Sequence, residues 1–194
     1  FFAINLFFPI LNFYSIPIAN FYLCNRFLLP LFINFSIFIA SVFIAIFTFL
    51  LNNDDKKVRV LDSLITRNIE NIKPFQSNPN FEFIQGDITK PSDCEKACIG
   101  VDYISHQAAL GSVPRSIENP LATHEANATG FLNILVAAKN NWVKRVVYAS
   151  SSSIYGDLNE SPKIENRIGK PLSPYAVSKL VNEQYAAIFS STYN

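Results

Sequence analysis

The chain has 194 residues and a formal net charge of +1, from 16 Lys and Arg against 15 Asp and Glu. That balance excludes the basic excess of a nucleic-acid binder. Three Cys, an odd number, exclude a closed disulfide framework. Cys94 and Cys98, four apart and without a well-placed His, read as a helix face, so no metal site is expected.

The averages hide two unlike regions. Residues 1–53 carry a single charge, Arg26, no Gly, and 13 of the 18 Phe. Residues 54–194 hold all 15 acidic residues and all six Gly, the composition of an ordinary soluble domain. The boundary falls at Asn52-Asn53-Asp54-Asp55-Lys56. Residues 27–51 are uncharged and apolar, long enough as a helix to cross a ~30 Å hydrocarbon core. Residues 1–23 offer a poorer span, broken by Pro9 and Pro17. Lys56, Lys57 and Arg59 would then hold the later part on the cytoplasmic side. A cleaved signal peptide fits poorly, because the block is too long and lacks a small-residue cleavage site. The bias toward Phe, Ile, Leu and Asn is also that of translated AT-rich non-coding DNA. Two readings therefore stand: a membrane anchor, or a segment foreign to the folded protein.

Val58-Arg59-Val60-Leu61-Asp62 reads as a short strand ending in an acid. In a dinucleotide fold the second strand ends this way, and its carboxylate accepts from the adenosine ribose hydroxyls. Asp62 thus points to NAD rather than NADP, with Arg67 nearby weakening the contrast slightly. Residues 81–85 alternate as a strand before the turn Gly86-Asp87-Ile88, and 91–99 form a short amphipathic helix. Residues 102–107 make a strand running into Gln107, Ala108 and Ala109, small residues where ligands bind in open α/β sheets. Residues 117–140 predict one long helix carrying Leu121, Ala128, Leu132, Leu135 and Val136, with Asn127 inside it. His106 reads as a packed core residue, and His124 as an exposed one.

A last strand, 144–149, ends in Tyr148 and runs into the serines Ser150 to Ser153 and a Gly turn. Pro174 then opens a helix carrying Tyr175 and Lys179. A Tyr and a Lys four apart share one helix face. An ammonium beside a phenol lowers the phenol pKa from ~10 toward neutrality and gives a general base. Ser151 at the strand end is placed to hold the oxygen whose proton Tyr175 exchanges.

The stretches His106-to-Pro120 (HQAALGSVPRSIENP), YASSSSIYGD (148–157) and GKPLSPYAVSKLVNEQYA (169–186) resemble the extended short-chain dehydrogenase/reductases. Within them the likeness is to the nucleotide-sugar epimerases and dehydratases of the UDP-N-acetylglucosamine 4-epimerase type, over residues 57–194. The resemblance implies a Rossmann-like parallel α/β sheet and NAD as cofactor. It implies catalysis by Ser151, Tyr175 and Lys179. It places Asp62, Asp87, Ile88, Gln107, Ala108, Ala109, Tyr148, Tyr175 and Lys179 against the cofactor. Gly111, Ser112, Arg115, Ser151 and Ser152 fall against a UDP-sugar, where small residues at 111 and 112 leave room for an N-acetyl group. His106 would line the cofactor without acid–base duty, and Asn127 would bond backbone near the active site. The implied parent is a cytoplasmic homodimer, with a membrane partner only if 27–51 is an anchor.

The resemblance also sets what is missing. A dinucleotide fold opens with a strand, a Gly-rich turn and a helix, here expected in the ~30 residues before Val58. The glycine-free block stands there instead, so residues 54–194 read as a partial domain lacking its first strand, its turn and its first helix. The C-terminal substrate lobe is likewise expected to be absent, and the chain as written to bind NAD poorly and be inactive.

Dehydratases of this branch carry Thr-Asp-Glu where this chain has Ser151, Ser152 and Ser153. Hydroxyls cannot deliver acid–base elimination at neutral pH. The expected cycle is therefore oxidation at the sugar C4 by NAD, turnover of the 4-keto sugar and re-reduction. UDP-glucuronate epimerases and decarboxylases of the same scaffold, and an inactive membrane-anchored relative, are the alternatives.

Overall fold

The structure is a computed structural model and describes residues 2–5, 51, 56–65 and 69–193. Five strands form one parallel sheet: β1 (Phe2–Asn5), β2 (Val58–Asp62), β3 (Phe81–Gln85), β4 (Tyr103–His106) and β5 (Arg145–Tyr148). Their spatial order is β3-β2-β1-β4-β5, and every neighbouring pair is parallel. The order reverses between β1 and β4, which places a ligand crevice at the carboxyl ends of the strands. The four strands expected after residue 57 are all present, with ends shifted by one residue.

The expected absence of a first strand is overturned. Phe2–Asn5 occupies the centre of the sheet, paired with Val58–Leu61 on one side and Tyr103–His106 on the other. A central parallel strand is covered on both faces and need not alternate. A short apolar run of this kind cannot be told from a buried or membrane helix by periodicity alone. Most of the proposed span 27–51 lies outside the described residues. Leu51 is described, and it is buried with Val58, Val60 and Phe75. Among the described residues no helix is long and apolar enough to cross a membrane.

The alternation of β2 divides the core. Val58 and Val60 point to one face and meet Leu51 and Phe75. Leu61 points to the other, where Ile84 and Ile104 meet α1 (Pro91–Cys98) and α4 (Gly130–Asn140). Fully burying each such aliphatic side chain is worth about 1.5–3 kcal/mol. Cys94 and Cys98 lie in this layer, and burial pushes both thiols up to about 12, so they pack and do not react. Among the described residues no cluster of His, Cys, Asp and Glu suits a metal ion.

The single helix expected over 117–140 is instead three segments. After α2 (Val113–Glu118) the chain breaks at Asn119, whose φ is −138° and whose Oδ1 accepts from the Ala122 N–H at 3.1 Å. Pro120 lacks an N–H and disfavours a helical residue before it, which enforces the break. Then come α3 (Pro120–His124), one π-helical turn (Glu125–Thr129) and α4. Of the residues expected on the core face, Ala128 and Leu135 are buried, while Leu121 and Val136 are exposed and Phe131 and Ile134 are buried instead. The last helix, α5 (Pro174–Tyr193), starts as its sequence demands. Ser173 caps it by accepting from the Ala176 N–H at 3.1 Å, and Pro174 follows at the first helical position.

Candidate active site

One part of the crevice is built from strand-end turns. Asp62 closes β2, is 5% exposed, and its Oδ1 accepts from the Leu64 N–H at 2.7 Å. Asp87 repeats the device after β3, accepting from the Thr89 N–H at 2.9 Å. Its own N–H donates to Asp93 Oδ2 at 2.9 Å. Between these turns lies a cavity of about 330 Å³, lined by Ser63, Asp87, Ile88, Ala109, Leu110 and Glu125 among others. Asp87, Ile88 and Ala109 were expected there. Asp62 does not line it, but its neighbour Ser63 does. A Cβ on Gly130 would lie 2.6 Å from Ile88 Cδ1, so that glycine lets the start of α4 close behind the cavity wall.

The other part is the corner where β5 meets α5. Tyr175 is 3% exposed and Lys179 1% exposed, one helical turn apart. Lys179 Nζ donates to the Ala149 carbonyl at 2.8 Å, which joins α5 to the end of β5. Ser150 Oγ donates to Glu183 Oε1 one turn further along. Ser151 Oγ accepts twice from Ser153, from its N–H at 3.2 Å and its hydroxyl at 2.9 Å. Asn127, fully buried in the π turn, accepts from the Leu110 N–H at 2.6 Å. Its amide donates to the Leu110 carbonyl at 3.3 Å and to Ser178 Oγ at 3.1 Å. Ser178 in turn donates to the Tyr175 carbonyl at 2.7 Å. The turn after β4, the π turn and α5 are thereby tied into one unit.

The electrostatics correct one expectation. The Tyr175 phenol is held above its ordinary value of 10.0, chiefly by burial, with a lesser opposing pull from the Ser151 hydroxyl. Among the described residues Tyr175 Oη has no hydrogen-bond partner. The expected lowering by Lys179 is not seen, because Lys179 is turned to the Ala149 carbonyl. Burial also brings Lys179 down to about 8. His106 is pushed down to about 3, by burial first and the Lys179 charge second, and is neutral. Its ring packs on Phe131 with centroids 5.1 Å apart, and Phe131 packs on Tyr148 at 5.0 Å.

A loop delivers α5 to the serines. Gly156 has φ +55°, and a Cβ there would overlap the Lys170 carbonyl. The Asp157 N–H donates to that carbonyl at 3.2 Å, and the Lys170 N–H returns to Asp157 Oδ1 at 2.7 Å. The chain thus leaves the serine run and returns beside it before Ser173.

Not every expected residue joins this corner. Ala108 is buried, while Gln107 is half-buried and donates to Ser105 Oγ at 3.3 Å. Ser112 caps α2 by accepting from the Arg115 N–H at 3.2 Å. Arg115 is exposed on α2, and Ser152 is exposed in the turn after β5. Gly111 is half-buried. Ser178, Glu183 and Ser63 were not foreseen. For Ser178 and Glu183 the available signal was helix phase, since they lie three and eight residues beyond Tyr175 and so return toward its face.

A doubly wound parallel sheet with a crevice at its switch point is the architecture of nucleotide-binding α/β proteins. The chain belongs to the NAD dependent epimerase/dehydratase family, whose model matches residues 45–194. It is 38% identical over 144 residues to a putative UDP-glucose 4-epimerase of Methanocaldococcus jannaschii, covering 73% of this chain and 45% of that one. Among solved structures it resembles the UDP-N-acetylglucosamine 4-epimerase of Methanobrevibacter ruminantium, in complex with UDP-N-acetylmuramic acid. There the TM-score is 0.67 at 36% identity, over 72% of this chain and 44% of that one. It also resembles a double mutant of DesIV, a dTDP-glucose 4,6-dehydratase of Streptomyces venezuelae, with NAD and DAU bound. That match has a TM-score of 0.72 at 33% identity, over 80% and 49% of the two chains. The chain thus spans less than half the length of these relatives.

Proposed function

We propose that this chain carries the catalytic corner of a nucleotide-sugar 4-epimerase interconverting UDP-N-acetylglucosamine and UDP-N-acetylgalactosamine. The observation that carries the reading is the buried Tyr175 and Lys179 facing a run of serines, with hydroxyls at 152 and 153 where a dehydratase needs two acids. As the phenolate, Tyr175 takes the proton of the sugar 4-hydroxyl and later returns it, so the positive charge of bound NAD would have to offset the burial that holds the phenol above 10.0. Ser151 holds that oxygen. Lys179, which donates to the Ala149 carbonyl, would hold the nicotinamide ribose when NAD is bound.

The cavity suits the adenosine half of NAD. Ile65, Ile88 and Leu110 line it beside the carboxylates of Asp87 and Glu125. Asp62, buried at the end of β2, is the ribose ligand by position. Ile88 and Ala109 complete the cavity wall. When bound, NAD supplies the hydride exchange at the sugar C4. The stretch after β1, where a Gly-rich turn would cradle the pyrophosphate, holds no glycine before Gly86.

The test is an assay of the complete protein with UDP-N-acetylglucosamine and, separately, UDP-glucuronate. Interconversion of the N-acetyl sugars is expected. In Tyr175→Phe, turnover falls about 100-fold or more, the typical worth of a general base, with substrate binding little changed. Activity on UDP-glucuronate alone, or full turnover in Tyr175→Phe, overturns the reading.

A further inference from the structure

The serine run 150–153 begins just past the end of β5. There the Ala149 N–H still pairs with the His106 carbonyl, at 3.1 Å. One residue on, the hold comes from a side chain: Ser150 Oγ donates to Glu183 Oε1 on α5. The direction of that bond is fixed, because an ionised carboxylate only accepts. Between these two holds lies one peptide group, made of the Ala149 carbonyl and the Ser150 N–H. Such a group is planar and turns as a unit. Its carbonyl is the one that receives Lys179 Nζ, at 2.8 Å. We propose that Glu183 is a positioning residue for Lys179: by holding Ser150 it fixes the peptide plane whose carbonyl the buried ammonium bonds, and so sets the direction of that ammonium.

The phase of α5 makes the arrangement possible. Lys179 and Glu183 are four residues apart and share one face on successive turns. Their bonds fall on adjacent residues, Ala149 and Ser150. An ammonium has three protons. Placing one on the Ala149 carbonyl sets where the other two point. That they serve the nicotinamide ribose rests on the epimerase reading, while the hold on the peptide plane rests on geometry alone. Lys179 is 1% exposed, so an ammonium that lost the carbonyl would find no bulk water in its place. Its charged form would then be less favoured. A bond that merely tied α5 to the sheet would contribute stability and leave the Lys179 charge untouched, which is the difference to be measured.

The titratable groups on the elements around Lys179 are Tyr175 and Glu183 on its own helix, neutral His106 at the end of β4 and Tyr148 at the end of β5. Glu183 is the only carboxylate among them. Removing it takes away a negative charge as well as a bond, and both losses would disfavour the ammonium. Substitution of Ser150 removes the bond and leaves the carboxylate. Replacement of Glu183 by Gln removes the charge and keeps an acceptor oxygen.

The experiment is a carbon NMR titration of the full 194-residue chain labelled at lysine Cε, with the Lys179 signal assigned by its loss in Lys179→Met. Ser150→Ala is expected to lower the Lys179 midpoint by about one unit, the scale of one hydrogen bond to a charged group. Ser150→Thr, which keeps the hydroxyl, restores the wild-type curve. Glu183→Gln titrates close to wild type, and Glu183→Ala follows Ser150→Ala. In the complete protein Ser150→Ala lowers kcat several-fold at unchanged KM for the sugar, and Ser150→Thr recovers it. A Ser150→Ala curve superimposed on wild type overturns the proposal, whatever stability that variant has lost. A Glu183→Gln shift as large as that of Glu183→Ala overturns it too, since the effect would then belong to the charge. Absence of sugar interconversion by the complete protein would sink the epimerase reading while leaving the titration free to decide the role of Glu183.

Discussion

At the cavity beside β2 and β3, polar side chains are satisfied by backbone two residues on: Asp62 by Leu64, Asp87 by Thr89. At the β5–α5 corner, side chains meet partners from distant segments. Asn127 reaches Ser178 across 51 residues, Ser150 reaches Glu183 across 33, and Lys179 reaches Ala149 across 30. The first arrangement is local and can be altered one turn at a time. The second is long-range, and at its buried members Asn127 and Ser178 removing one partner leaves the other short of a bond.

Asn127→Ala is the strongest way to probe the difference. It removes three hydrogen bonds in a fully buried position and leaves the Leu110 amide and carbonyl and the Ser178 hydroxyl short of partners. With ~1–3 kcal/mol for each group left unsatisfied, the expected loss is about 4 kcal/mol by denaturant unfolding. A loss below about 1 kcal/mol would mean that the corner is as local as the cavity turns.

Lys179 tests the same corner through pH. Its folded value of about 8 lies below the ordinary 10.5, so from pH 8 to 10.5 the unfolded chain binds the extra proton. The Lys179 contribution to stability is therefore fully present only above pH 10.5 and is lost as pH drops toward about 8, by on the order of 3 kcal/mol. Lys179→Met removes that slope and is more stable than the parent at neutral pH. Unfolding curves for both proteins at pH 7.5, 9 and 10 measure the difference. Parallel pH profiles would show that Lys179 is solvated.

The smallest effect belongs to the cavity. Asp87→Asn keeps an oxygen that can accept from Thr89, so stability changes by less than about 1 kcal/mol. A larger change in the unfolding midpoint would show that the two regions are built alike after all.

Much of this was legible in residue order. The alternation at 81–85 and the acid closing β2 located two strands. The Ser-Pro start before Tyr175 marked the beginning of α5, and the four-residue spacing put Tyr175 and Lys179 on one face of it. What was not legible has physical causes. Phe2–Asn5 is a central strand hidden inside a longer apolar run, where composition carries no period. The break at Asn119 was readable from Asn-Pro but was outweighed by the apolar spacing on either side. The pKa direction of Tyr175 depends on where the Lys179 ammonium points, and a four-residue spacing sets proximity without setting direction. Ser153 was visible only as part of a repeat, because it is a 3-10 turn that brings it back onto Ser151.

The five residues Glu125–Thr129 have one more consequence, for the kinds of change this protein can absorb. A π turn holds one residue more than an α turn, so the sequence after it is offset by one residue from a continuous α-helix. Deleting a single residue there would close the turn to ordinary α-helix and leave the faces of α3 and α4 where they are, with only the turn itself, Asn127 included, displaced. Substitutions at the exposed positions Glu125 and Thr129 leave the turn intact. The segment thus takes up one extra residue without moving the helices on either side of it.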